Sequence, residues 1–170
     1  MKRYGKAVLP LLLVGLVIFS LWYTHPVELS RLAEGADLSQ CTAITAACTL
    51  YLGEDTPGHT LTVRAGEAHF PPLLALAEGR RLSRSFQTLF SGNRVEAPAP
   101  MQGELHLFLA YEMPAGTLTL RTIGAGEQVL VQWGELCWQG SFPDMAQWLT
   151  DGLALFDRAD SGADPAHGSV

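Results

Sequence analysis

Cysteine and methionine are the side chains through which this sequence could do chemistry. It has three cysteines, Cys41, Cys48 and Cys137, and three methionines beyond the first residue, Met101, Met113 and Met145. In an oxidising compartment nearby thiols pair, and Cys41 and Cys48, with six residues between them, are the obvious couple. A bond closing that loop would remove unfolded-state entropy worth about 2 to 3 kcal/mol. As a redox motif the pair is poor, because thioredoxin-like chemistry places only two residues between its cysteines. Three cysteines allow three pairings, so Cys137 bonded to either of the others stays open.

Cys137 alternates with Leu136 and Trp138 and shares a face with Glu135 and Gln139, off the expected core face. An unpaired thiol there would be a soft metal ligand. Met101, Met113 and Met145 bracket it in the sequence, and thiolate and thioether together select copper(I). A copper-binding or copper-transfer module using Cys137, Met113 and Met145 is therefore one functional reading. Against it, methionine commonly fills cores, and no Met-x-Met or His-x-His spacing occurs.

The histidines, His25, His59, His69, His106 and His167, show no ligand spacing. The serines lack a G-x-S-x-G elbow, the acids no paired motif, and Gly124-Ala125-Gly126 reads as a turn rather than a phosphate loop. No catalytic residue, cofactor site or enzymatic activity is expected.

The elements that would position these residues begin with an apolar segment. Residues 7–23, AVLPLLLVGLVIFSLWY, contain 17 residues without a charge, about 25 Å as a helix and enough for a short transmembrane span. Lys2, Arg3 and Lys6 precede it, while Glu28 and Glu34 follow, so the positive-inside rule leaves residues 1–6 in the cytoplasm and exports the rest. The sequence SLWYTHPVELS is too bulky for signal-peptide cleavage, and Leu38-Ser39-Gln40-Cys41 is a poor lipoprotein signal. These features predict a single-pass bacterial inner-membrane protein with an uncleaved anchor and a periplasmic C-terminal domain.

Beyond the anchor, residues 24–40 read as a polar stalk and 41–156 as a mainly β domain. The strongest strand is 104–111, with Leu105, Leu107, Leu109 and Tyr111 on one face and His106 on the other. Strands at 117–122 and 128–133 continue a meander, and 48–52 with 59–65 flank a turn-rich connection that suits a hairpin, Leu61 and Val63 facing inward. Residues 73–90 satisfy both helical and strand periods; Gly79 and Pro71-Pro72 favour extended structure. Residues 95–102 read as a loop. Met145, Trp148, Leu149, Gly152, Leu153 and Phe156 fall at helical spacing, and 157–170 reads as a disordered tail.

Eight arginines, Arg31, Arg64, Arg80, Arg81, Arg84, Arg94, Arg121 and Arg158, are the only cations after the anchor, set against all 17 acidic residues. That balance disfavours nucleic acid, whose binding depends on neutralising phosphates.

The anchor, the Cys41-x6-Cys48 pair, the Tyr111-Glu112-Met113-Pro114 segment before a hairpin, and Cys137 followed by Met145 and Trp148 resemble small anchored bacterial proteins found alongside cytochrome c oxidase assembly factors. The resemblance implies an immunoglobulin-like sandwich, with 145–156 as its closing strand where the spacing predicts a helix. It also implies a role in respiratory-complex assembly. The leading functional expectation is thus a membrane-tethered, non-enzymatic accessory protein acting by contact with a membrane protein partner.

Overall fold

Apolar residues at every second position, broken by glycine-rich turns, build most of this molecule into one antiparallel sheet. The structure, a computed structural model, describes residues 5–51, 58–91 and 102–162. In chain order the elements are α1 (Gly5–Thr24), β1 (Val27–Glu28), α2 (Leu29–Leu32), a 3-10 turn (Leu38–Gln40), β2 (Ala43–Leu50), β3 (Gly58–Arg64), α3 (Phe70–Leu74), β4 (Arg81–Arg84), α4 (Phe86–Phe90), β5 (Leu105–Met113), β6 (Gly116–Ile123), β7 (Gln128–Trp133), β8 (Leu136–Ser141) and α5 (Met145–Gly162).

The eight strands pair in the order β1-β4-β8-β7-β6-β5-β2-β3. The expected three-strand meander is present as β5, β6 and β7, and β8 extends it by a fourth strand, in registers such as Tyr111↔Leu118, Leu120↔Val131 and Val131↔Trp138. The expected hairpin is present as β2 with β3, but its first strand runs from Ala43 to Leu50 rather than over 48–52; the pairs run from Ala43↔Arg64 to Thr49↔Gly58, and Val63 is buried while Thr62 and Arg64 are exposed. Its turn at 52–57 and the expected loop over 95–101 lie outside the described residues.

One face of the sheet carries the core. Ile44, Ala46, Leu107, Leu109, Tyr111, Leu118, Leu120, Val129, Val131 and Trp138 meet Leu29 and Ala33 of the α2 region, Leu73, Leu76 and Ala77 around α3, and Trp148, Leu155 and Phe156 of α5. Helices thus cover the face of this single series of strands. The helical spacing of 145–156 wins over the closing strand implied by the resemblance. Gly152 explains the fit, because a Cβ there would run into the Leu107 side chain of β5.

Three other expectations need correction. Residues 24–40 are not a stalk: Leu29, Ala33 and Ala36 are buried, β1 pairs with β4, and the Leu29 amide donates to the Arg80 carbonyl at 3.0 Å. Residues 73–90 are not uniformly extended, since two one-turn helices flank the short β4; Pro71 sits in the first turn of α3, where its missing N–H costs nothing. The tail does not begin at 157, because α5 runs to Gly162; residues 163–170 lie outside the described residues.

Leu9, Leu11, Leu12, Leu13, Val14, Leu16, Val17, Ile18, Leu21 and Trp22 of α1 are all exposed, in a helix whose outward surface is apolar on every side. Among the described residues, no helix is long and apolar enough to cross a membrane.

Candidate functional site

The structure does not bring the cysteines together. From Ala43 to Leu50 the chain is extended, and at about 3.3 Å per residue the seven steps from Cys41 to Cys48 separate their Cα atoms by roughly 20 Å. A disulfide needs them within about 7 Å, so the Cys41–Cys48 bond expected from sequence is replaced by two thiols toward opposite ends of one strand. Cys41 is buried and its Sγ donates to the Ala43 carbonyl at 3.3 Å. Cys48 faces Leu107 and His59 across the ladder and packs beside the main core.

The copper set is separated as well. Met113 is the last inward residue of β5 and lies in the main core, against which Met145, at the start of α5, also packs. Cys137 lies on the other face of the sheet, in a small cluster with Ile123 and Leu130. The alternation correctly placed Cys137 off the main core face, but the thiol is buried there and the sheet stands between it and both methionines. Met101 lies outside the described residues. Among the described residues, no group of three His, Cys, Asp or Glu side chains is placed to hold a metal.

On the same outer face, His106 Nε2 lies 3.2 Å from Glu104 Oε2, both side chains nearly buried, and His106 Nδ1 is 3.1 Å from the Thr122 carbonyl. Sequence reasoning missed this pair. Its signal was the spacing of two that puts residues 104 and 106 on one side of a strand.

The remaining concentration of unusual features is the junction between α1 and the sheet. Thr24, ending α1, donates its hydroxyl hydrogen to the Ser20 carbonyl at 2.8 Å, and only His25 and Pro26 separate it from β1. β1 then pairs with β4 through Val27↔Leu82 and Glu28↔Arg81. Tyr23 is buried at this seam. Its ring stacks on Phe86 of α4, 5.6 Å between centroids, and the Arg84 guanidinium lies 4.5 Å above it, a cation–π contact. Beside it His25, Pro26, Val27, Glu28, Arg31 and Arg81 line an open recess. Tyr23 Oη, Arg84 Nε and Ser85 Oγ are buried here without a hydrogen-bond partner among the described protein atoms.

α4 is fastened by a side chain that imitates backbone. Thr88 Oγ1 accepts from the Gln139 amide at 2.8 Å and donates to the Gln139 carbonyl at 3.1 Å, extending the β4–β8 ladder after its last pair, Arg84↔Gly140. Gly140 makes the close approach of these strands possible, since a Cβ there would collide with the Ser83 carbonyl. With Thr88 turned inward, Phe86, Leu89 and Phe90 are left facing out.

This geometry is that of a positively rimmed, aromatic seam at the foot of an apolar helix, able to hold anions or apolar surface. Comparison with protein-family models, curated proteins and solved structures found no match to this chain.

Proposed function

We propose that this chain is a membrane-tethered, non-enzymatic domain that acts by contact with another membrane protein on the non-cytoplasmic side. The observation that carries this reading is the surface of α1: eleven large apolar side chains from Leu9 to Trp22 are exposed around the whole helix, and no other element among the described residues covers them. Burying such a surface in hydrocarbon recovers the free energy that water denies it. Counted from the sequence, the uncharged run extends from Ala7 to Tyr23, and Lys6 and Trp22 supply the cationic and aromatic ends that sit at headgroup depth. The three leading cations set the orientation.

The contact is offered by the other side of the sheet. Among the described residues, β3 pairs only with β2, and an open edge strand is a template for strand addition by a partner. The process implied by the resemblance, respiratory-complex assembly, rests on that resemblance alone.

The test is to express the full chain, isolate membranes, wash them with alkaline carbonate and treat intact spheroplasts with protease. The chain is expected to stay in the washed membranes and to lose its C-terminal domain to external protease. Release by carbonate overturns the tether. Cross-linking before detergent purification is expected to capture a membrane protein through the 58–64 peptide, and recovery of the chain alone removes the contact reading.

A further inference from the structure

The polarity of α4 is inverted. Its hydroxyl residue, Thr88, is fully buried, while Phe86, Leu89 and Phe90 are 37, 38 and 85% exposed. Apolar surface in water forfeits the main driving force of folding, so this short helix is built for an apolar neighbour. The patch is not isolated. Phe86 stacks on Tyr23, Tyr23 stacks on Phe19, and Phe19 lies beside the exposed Trp22, so the apolar surface of α4 continues that of α1. A two-residue link and the β1–β4 pairing hold α4 beside the foot of α1.

The charges at this seam have the complementary sign for a bilayer. Arg31 and Arg81 line the recess, Arg84 lies over Tyr23, and Glu28 is the single carboxylate lining the recess. This basic rim stands out in a domain where 17 acidic residues outnumber the arginines.

We propose that α4 dips into the bilayer interface at the C-terminal end of α1, with Leu89 and Phe90 among the acyl chains and Arg31 and Arg81 seated on the phosphates of anionic phospholipids. The domain is thereby held flat on the membrane in one orientation. This rests on the tether reading and deepens it. An interfacial helix combines these two ingredients, an apolar face that inserts and flanking cations that meet headgroups.

The test uses the full chain in phosphatidylcholine proteoliposomes, with or without about one-third phosphatidylglycerol, doped with a phosphatidylcholine bearing a photoactivatable acyl chain, and maps lipid adducts by mass spectrometry. Adducts are expected on α1 and on residues 86–91, and those on 86–91 are expected to rise up to about thirtyfold with phosphatidylglycerol, the equivalent of roughly 2 kcal/mol for two arginines at an anionic surface. The double variant Leu89→Glu/Phe90→Glu should lower the 86–91 adducts about tenfold and leave those on α1 unchanged. Arg31→Gln/Arg81→Gln should abolish the rise with phosphatidylglycerol. Adducts confined to α1 overturn this proposal and leave the tether standing, whereas absence of adducts on α1 overturns both. A rise that persists in the double arginine variant overturns the headgroup seat. Should the glutamate variant fail to fold, the wild-type adducts on 86–91 still decide.

Discussion

Tyr111 is fully buried in the middle of the core, yet its phenol is not wasted there. Its Oη donates to the Leu73 carbonyl at 3.0 Å, and Trp148 Nε1 donates to the Leu76 carbonyl at 2.8 Å, so two aromatic tips tie the chain around α3 to the sheet and to α5. The Leu73 carbonyl already accepts from the Leu76 amide at 3.2 Å, so the phenol adds a second, tertiary bond that fixes this turn to the sheet. Tyr111→Phe keeps the packing and removes one such bond; we expect a loss of about 1 to 2 kcal/mol in urea denaturation of the full chain in detergent. The same side chain gives a pH signature. Burial pushes the Tyr111 phenol far above its ordinary range, with a negative charge on the neighbouring Cys41 raising it further, and burial also raises the Cys41 thiol. Groups whose folded pKa is raised bind protons more tightly folded than unfolded, so their stabilisation is complete below the unfolded values, about 8.5 for Cys and 10 for Tyr, and is lost as pH climbs beyond them. These two groups therefore leave stability unchanged up to about pH 8.5 and lower it in alkali. A fall as steep in Tyr111→Phe as in the wild type would show that another group is responsible.

At the scale of elements, what could be read from the sequence was whatever repeats long enough to show a period. β5, β6 and β7 present three or more inward residues each between glycine-rich turns, and α5 spaces Met145, Trp148, Leu149 and Gly152 along one face; all four elements match their predicted type. β4 and α4 were illegible because they are four and five residues long and because α4 buries its threonine and exposes its phenylalanines, against the rule that pattern reading assumes. Their attachment depends on tertiary contacts that no local pattern encodes: Thr88 bonding both backbone groups of Gln139, and Gly140 admitting Ser83. The cysteines failed for a related reason, since a spacing of seven says nothing about whether the chain between is looped or extended. Gly140→Ala is the direct test of the seam. Its methyl would have to displace the Ser83 backbone, so we expect a loss of about 1 to 3 kcal/mol and, in hydrogen exchange, loss of amide protection concentrated in residues 81–88 while β5–β7 stay protected. Uniform loss across the sheet would mean that β4 and α4 are integral to the whole rather than a separately fastened edge.

For the molecule as a whole, the decisive correction is that no flexible stalk separates helix from domain. A disordered stretch of 17 residues would give the domain a root-mean-square reach of about 20 to 25 Å, whereas the link is His25 and Pro26 alone. Polar composition concealed this, because the residues that matter, Leu29, Leu32, Ala33 and Ala36, are few, although their spacing of three and four is that of one helical face. Leu29 and Ala33 are buried in the same core as the sheet, and Trp133 Nε1 of β7 donates to the Glu34 carbonyl at 3.2 Å, so the segment closes the domain it was expected merely to carry. Two consequences are measurable in the full chain. Leu29→Ala should cost about 2 to 5 kcal/mol, as expected for a large side chain deleted from a packed core, and replacing residues 26–36 with glycine and serine should cost more than that or prevent folding. A stalk would tolerate both changes with an unchanged urea midpoint. If instead the midpoint falls as expected, the sheet is anchored through its own core, and motion of α1 in any surrounding medium is transmitted to β4, β8 and the seam at α4 without a compliant joint to absorb it.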